Sequence, residues 1–184
     1  MGTVSGRNAV TFSGSNRMRA SFTAPLSISW NSPYTVATWV YNPAVGQREC
    51  LLSWCARGGP QAAYASMMYG TDGNFGASAH WDAMDMPYRT VPSAGAWHHI
   101  ALVFDGQVEK VYVDGTQNNQ EQKYLNVWPN GPIILADSGA TDVEEHFSGS
   151  IASLRMYDVA LDAAGVTALM NGSEPTLPTA PPAP

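Results

Sequence analysis

The stretch GAWHHIALVFDGQVEKVYVDG, residues 95–115, reads as two strands and two turns. Apolar residues recur at every second position on both sides of Asp105-Gly106. Asp114-Gly115 closes the second run. Asp-Gly between strand-like runs is a strong hairpin signal, because both residues accept a positive φ. In 97–104 a strand places Trp97, His99, Ala101 and Val103 on one face, and His98, Ile100, Leu102 and Phe104 on the other. The adjacent histidines therefore point apart and cannot share a metal ion. Each is expected to be a hydrogen-bonded structural residue.

The same period of two runs outward in both directions. NAVTFSG (8–14), YTVATWVYNP (34–43) and CLLSWCARGG (50–59) each end on a turn signal. AAYASMMYGTDGNFGASAHW (62–81) reads as two strands around Thr71-Asp72-Gly73. PIILAD (132–137) and FSGSIASLRMYD (147–158) follow. Short strands with closely spaced turn signals predict an all-β fold, a two-sheet antiparallel β-sandwich. LDAAGVTALMNG (161–172) predicts one short helix, with Asp162 as N-cap and Gly172 past its end. In 35–41 Ala37, Trp39 and Tyr41 share one face and Val36 and Val40 the other. Both faces are apolar, so the second is either covered or a binding floor.

A chain of 184 residues suits one domain, set here at 1–172. The tail SEPTLPTAPPAP (173–184) has five prolines and reads as an extended linker to a further module. Nine basic against fifteen acidic residues give a net charge of -6, which argues against a nucleic-acid partner. No apolar run is long enough to predict a membrane span. The opening MGTVSGRNAV lacks the apolar core of a signal peptide. Cys50 and Cys55 lie five apart on one predicted strand, roughly 17 Å from each other, beyond the about 7 Å that a disulfide allows. Two free, buried thiols are expected.

Trp97-His98-His99, Tyr112-Val113-Asp114-Gly115, Phe147-Ser148-Gly149-Ser150-Ile151, Arg155-Met156-Tyr157 and the helix from Leu161 to Leu169 fall in a familiar order. Together with the first strands they make residues 8–172 resemble the laminin-G-like domains of the concanavalin A-like lectin/glucanase superfamily. That resemblance implies a jelly roll with one short C-terminal helix. It leaves the ligand open, because the fold hosts many functions. Gly165 departs from the pattern, since the family's helix usually carries an acidic residue there. Relatives often hold a structural calcium in loops. In ADSGATDVEEHF (136–147) the candidates are Asp137, Asp142 and Glu144, with Glu145 beside them.

The superfamily also contains glycoside hydrolases, which need two carboxylates facing one sugar bond. The glucanase pattern Glu-x-Asp-x-x-Glu is absent from this sequence. Glu109 stands alone on a predicted strand. No nucleophile motif, phosphate loop or zinc spacing occurs. The expectation is a non-catalytic module with no required cofactor.

HWDAMDMPY (80–88) is the stretch with chemistry to spare. A flat indole or phenol covers the apolar face of a sugar, and polar side chains serve its hydroxyls. Trp81 or Tyr88 would be the platform, with His80, Asp82, Asp85 and the following Arg89 as polar partners. Trp54 and Tyr69 would extend it from neighbouring strands near the concave face. The other reading is a loop anchored by Met84 and Met86. The expected protein is a monomeric carbohydrate-binding module of a secreted or cell-surface modular protein, with a polysaccharide or oligosaccharide ligand. An adhesion module that binds proteins is the alternative.

Overall fold

The computed structural model describes residues 2–55, 57–139 and 145–178. Twelve strands and one helix follow each other along the chain. They are β1 (Gly2–Val4), β2 (Arg7–Ser13), β3 (Met18–Thr23), β4 (Tyr34–Tyr41), β5 (Cys50–Trp54), β6 (Ala65–Met68), β7 (Ser78–Ala79), β8 (Trp97–Phe104), β9 (Val108–Val113), β10 (Thr116–Gln122), β11 (Pro132–Leu135), β12 (Ser148–Tyr157) and α1 (Ala163–Met170). One sheet has the order β1-β2-β12-β4-β8-β9-β10, the other β3-β11-β5-β6-β7. Every strand pair is antiparallel. The two-sheet sandwich expected from the period-two runs is therefore present.

The main core lies between the sheets. Val36, Val40, Ile100, Leu102, Phe104 and Val111 meet Leu51, Leu52, Trp54, Met67 and Met68 there. A smaller core sits outside the larger sheet, where Leu161, just before α1, and Val166 and Leu169 of α1 are buried on Ala37, Ala101, Val103 and Tyr112. This explains why β4 and β8 are apolar on both faces. The Asp162 carboxylate accepts the Gly165 N–H at 2.8 Å and caps α1 as expected.

Both Asp-Gly signals form hairpins. Asp105 Oδ1 accepts the N–H groups of Gln107 and Val108. Asp114 and Gly115 both take a positive φ and join β9 to β10. β10 itself, TQNNQEQ, went unpredicted, because a wholly polar edge strand has no apolar alternation to read. The turn at Thr71-Asp72-Gly73 is wider than a two-residue hairpin. Asp72 instead organises a longer loop through the Asn74 and Gly76 N–H groups. Cys50 and Cys55 are both free and buried. Cys55 takes φ +65° and ends β5 one residue after Trp54.

Two further expectations meet detail. Gly149 sits near the start of β12, between β2 and β4, and a Cβ there would overlap the Tyr41 carbonyl oxygen and the Phe147 ring. Gly149→Ala is expected to cost about 1–3 kcal/mol through overpacking, read as a lower midpoint in urea. A midpoint equal to the parent's contradicts that close approach. The tail does not leave the domain at residue 172. Pro175 is buried, and Glu174 accepts hydrogen bonds from Arg155 at 2.6 Å and the Tyr157 hydroxyl at 3.4 Å. Arg155 and Tyr157 thus tie β12 to the start of the tail.

Candidate functional site

The antiparallel order of the smaller sheet brings three connections to one end of the sandwich. β5 runs into 55–64, β7 runs into 80–86, and 123–131 leads into β11. HWDAMDMPY occupies one of them, and its His80, Met86 and Tyr88 are buried.

His80 is wholly buried between the sheets. Its Nε2 lies 2.8 Å from Glu109 Oε1, and its Nδ1 lies 3.1 Å from the Tyr64 carbonyl oxygen. The same carboxylate accepts the Tyr34 hydroxyl at 2.5 Å and the Ser78 hydroxyl at 2.6 Å. Burial pushes Glu109 upward, but the His80 charge and hydrogen bond, the Lys123 charge and the Ser78 hydroxyl outweigh it. They hold its pKa down at about 2. Tyr88 is buried and donates its hydroxyl to the Met68 carbonyl at 3.0 Å. Tyr69 packs edge-on to it, with ring centroids 6.2 Å apart. Trp54 is buried edge-on to Tyr34, with centroids 4.9 Å apart. His80, expected as a polar partner, and Tyr88, Tyr69 and Trp54, expected as platform residues, are therefore corrected to core. In each case a partner distant in sequence takes the ring inward.

Trp81 is the exception. It is 41% exposed and holds φ +91°. Asp85 keeps it there, since Oδ1 accepts the backbone N–H groups of His80 at 2.6 Å and Trp81 at 2.8 Å. Burial raises the Asp85 pKa, against the lowering effect of those N–H groups and of the His80 and Lys123 charges. Asp85 Oδ1 is thus a structural acceptor that shapes the turn. Asp82 opens the 3-10 turn Asp82–Met84, and its side chain lies outside the described residues. The Arg89 side chain is exposed, and its N–H is held by Asn118 Oδ1 at 2.8 Å.

The neighbouring connection supplies what the sequence reading missed. In KYLNVW (123–128) burial alternates strictly: Lys123, Leu125 and Val127 are buried, while Tyr124, Asn126 and Trp128 are exposed. Backbone hydrogen bonds fix the segment, with Asn126 donating to the Ala62 carbonyl, Trp128 to that of Ala63, and Val127 to that of Trp30. Tyr124 is 74% and Trp128 48% exposed. The signal was legible as period two, but its apolar aliphatics face inward and its rings outward, so it resembles an ordinary edge strand.

Two hollows flank the loop 57–62. One of about 380 Å³ lies among Gln61, Met84, Tyr124 and Asn126. Another of about 720 Å³ lies among Arg57, Gly59, Pro60, Trp128 and Pro129. Arg57 stands 5.4 Å from the Trp81 ring and pairs with Glu145. Lys123 Nζ donates to the carbonyl oxygens of Met84 at 2.5 Å and Asp85 at 2.7 Å. It locks the Trp81 turn to the 123–128 segment.

A second aromatic group lies on the outer face of the larger sheet. There the Arg7 guanidinium sits 3.6 Å over the Trp39 ring, and Trp97 Nε1 donates to the Val4 carbonyl at 3.0 Å. Those rings already have partners. Burial lowers the nearby His99 to a pKa of about 4, with Arg7 adding to the shift and Asp114 opposing it. His98, on the opposite strand face, bonds Asp114 and Ser93, as a structural histidine should.

Of the calcium candidates, Asp137 sits at the other end of the sandwich, just after β11. Asp137 Oδ2 is taken by Arg17 at 2.5 Å, and its Oδ1 accepts the Gly139 N–H. Asp142 and Glu144 lie outside the described residues. Among the described residues no group of three His, Cys, Asp or Glu side chains is placed to hold a metal ion. No helix among them is long and apolar enough to cross a membrane.

A family model described as the concanavalin A-like lectin/glucanases superfamily matches residues 12–167. The chain belongs to this superfamily. Comparison with curated proteins finds no match. Among solved structures the chain is similar to domain 4 of AbnA, a GH43 extracellular arabinanase from Geobacillus stearothermophilus, solved in complex with arabinotriose. The identity is 24% and the TM-score 0.67, over 88% of this chain and 76% of that one. It is also similar to a candidate carbohydrate-binding protein from Bacteroides ovatus, with 16% identity and a TM-score of 0.65. That match covers 86% of this chain but 45% of the other. A heptameric pentraxin from Limulus polyphemus follows, with 16% identity, a TM-score of 0.58 and coverage of 87% and 80%. At such identities the likeness is one of fold. The superfamily's sandwich is what the strand pattern and the 95–115 hairpin had led one to expect.

Proposed function

We propose that this domain is a non-catalytic carbohydrate-binding module of a secreted or cell-surface protein. The observation that carries the reading is the grouping of Trp81, Tyr124 and Trp128 at one loop end, exposed and without hydrogen bonds from their polar tips to other described residues. Exposed rings with free amides beside them, Gln61 and Asn126, suit a ligand with apolar faces and many hydroxyls. The similarity to a domain whose structure contains arabinotriose supports a sugar as that ligand. The non-catalytic reading rests on the carboxylates. Glu109 is buried and enclosed by Tyr34, Ser78 and His80, and Asp85 gives its Oδ1 to two backbone N–H groups, which supports a structural use of both.

Affinity electrophoresis through arabinan, xylan and mixed-linkage glucan tests the reading. Retardation by at least one is expected, and Trp81→Ala should weaken it severalfold. Alanine tolerates the positive φ no better than tryptophan, so the backbone strain is unchanged and the Tm should stay within about 2 °C. Retardation unaltered in Trp81→Ala argues against Trp81 as a platform.

One observation favours the adhesion reading. An apolar groove of about 520 Å³ lies among Phe22, Ile28, Leu52, Ile133, Leu154 and Met156, and Phe22 is 66% exposed. It offers few polar groups to a sugar. Mobility unaltered in every polysaccharide gel would favour a protein partner at that groove.

A further inference from the structure

The strip formed by Tyr124, Asn126 and Trp128 has a length, a polarity and open surroundings, and these together restrict what it can hold. At the rise of an extended chain, alternate residues stand about 7 Å apart and Tyr124 and Trp128 about 13 Å apart. A single sugar ring cannot reach both aromatic rings. The Asn126 amide lies midway between them, exposed and without a bond to another described side chain. The order along the strip is therefore ring, amide, ring.

The strip carries no charge, and the charges around it are already committed. Arg57 pairs with Glu145. Lys123 spends its donors on the Met84 and Asp85 carbonyls and on Glu121. Asp85 accepts two backbone N–H groups. A polyanion would meet no uncommitted cation on the strip, and the chain as a whole carries a net charge of -6. The strip is not enclosed: Tyr124 is 74% and Trp128 48% exposed, and the hollows beside them open to solvent. An open site admits the interior of a chain, whereas a terminus reader needs a closed end.

We infer that the strip binds an internal segment of a neutral, linear polysaccharide, roughly three consecutive sugars long, with the outer sugars on Tyr124 and Trp128 and the middle one hydrogen-bonded by Asn126. This rests on the carbohydrate reading above and specifies its ligand class.

The test is titration calorimetry with arabinose and linear arabino-, xylo- and cello-oligosaccharides of two to six residues. Gels containing arabinan, xylan, mixed-linkage glucan and polygalacturonate run alongside. The proteins are the parent, Tyr124→Ala and Trp128→Ala, each with its melting curve. The expected result is affinity that climbs with chain length and levels off near three residues in one neutral series. Each ring variant should lose about tenfold, with its plateau reached at a shorter length and its Tm close to the parent's. Polygalacturonate should not retard the parent. A monosaccharide that binds as tightly as a trisaccharide, or preference for polygalacturonate, overturns the inference. So does parent-like binding by both ring variants. In those three cases a sugar is still bound and the carbohydrate reading survives. Absence of binding to every polysaccharide and oligosaccharide overturns both.

Discussion

Glu109→Leu should lower stability by about 3–5 kcal/mol, because it removes one partner of a buried, hydrogen-bonded charge cluster and strands the others. Tyr34, Ser78 and His80 all lose the acceptor they share, and none of them has access to water. At roughly 2–4 °C per kcal/mol for a chain of this size, the Tm should fall by on the order of 10–15 °C. A fall of less than about 3 °C would mean that the cluster relaxes or admits water. The pH dependence gives a second readout. The folded pKa of Glu109 is about 2, below its ordinary value of 4.5. A depressed carboxylate stabilises the fold fully above the unfolded value and loses that contribution as pH falls through the folded one. The parent should therefore shed stability between about pH 4.5 and 2, and Glu109→Leu should lack that part of the loss.

Trp54→Ala should cost about 3–5 kcal/mol as well, but for another reason. The wholly buried indole fills the space against Tyr34, and truncation leaves a cavity. The expected signature is a lower denaturant midpoint with little change in slope. Sugar binding measured well below the transition should stay near that of the parent, since the indole reaches no surface. A stable Trp54→Ala protein that had lost sugar binding would reverse the assignment of Trp54 to the core. Trp54→Ala and Trp81→Ala make a matched pair, in which the buried ring is expected to change stability and the exposed ring to change binding.

The pair also shows how far the sequence could be read. The period-two run of 97–113, the Asp105-Gly106 and Asp114-Gly115 turns and the Asp162 cap report local geometry, and each is found where it was expected, whereas Asp72-Gly73 opens a longer loop. Burial of a particular ring is not local. His80 is drawn inward by Glu109, which is 29 residues away, and Tyr88 by Met68, which is 20 away. Nothing within HWDAMDMPY records those partners, so a mixed-composition stretch looked richer in surface chemistry than it is. The reverse error hid the 123–128 strip. Its alternation is plain, but only the Ala62, Ala63 and Trp30 backbone partners show that its outer side faces no further strand.

The 3-10 turn after Trp81 is held at both ends, by the Asp85 carboxylate at its start and the Lys123 ammonium at its finish. Those clamps use side chains that do not reach the exposed rim. The tips that do reach it, at Gln61, Tyr124, Asn126 and Trp128, contribute little to holding the backbone. On the carbohydrate reading proposed above, exchanging a ring or an amide at the tips should retune which ligand is preferred without renegotiating the architecture beneath.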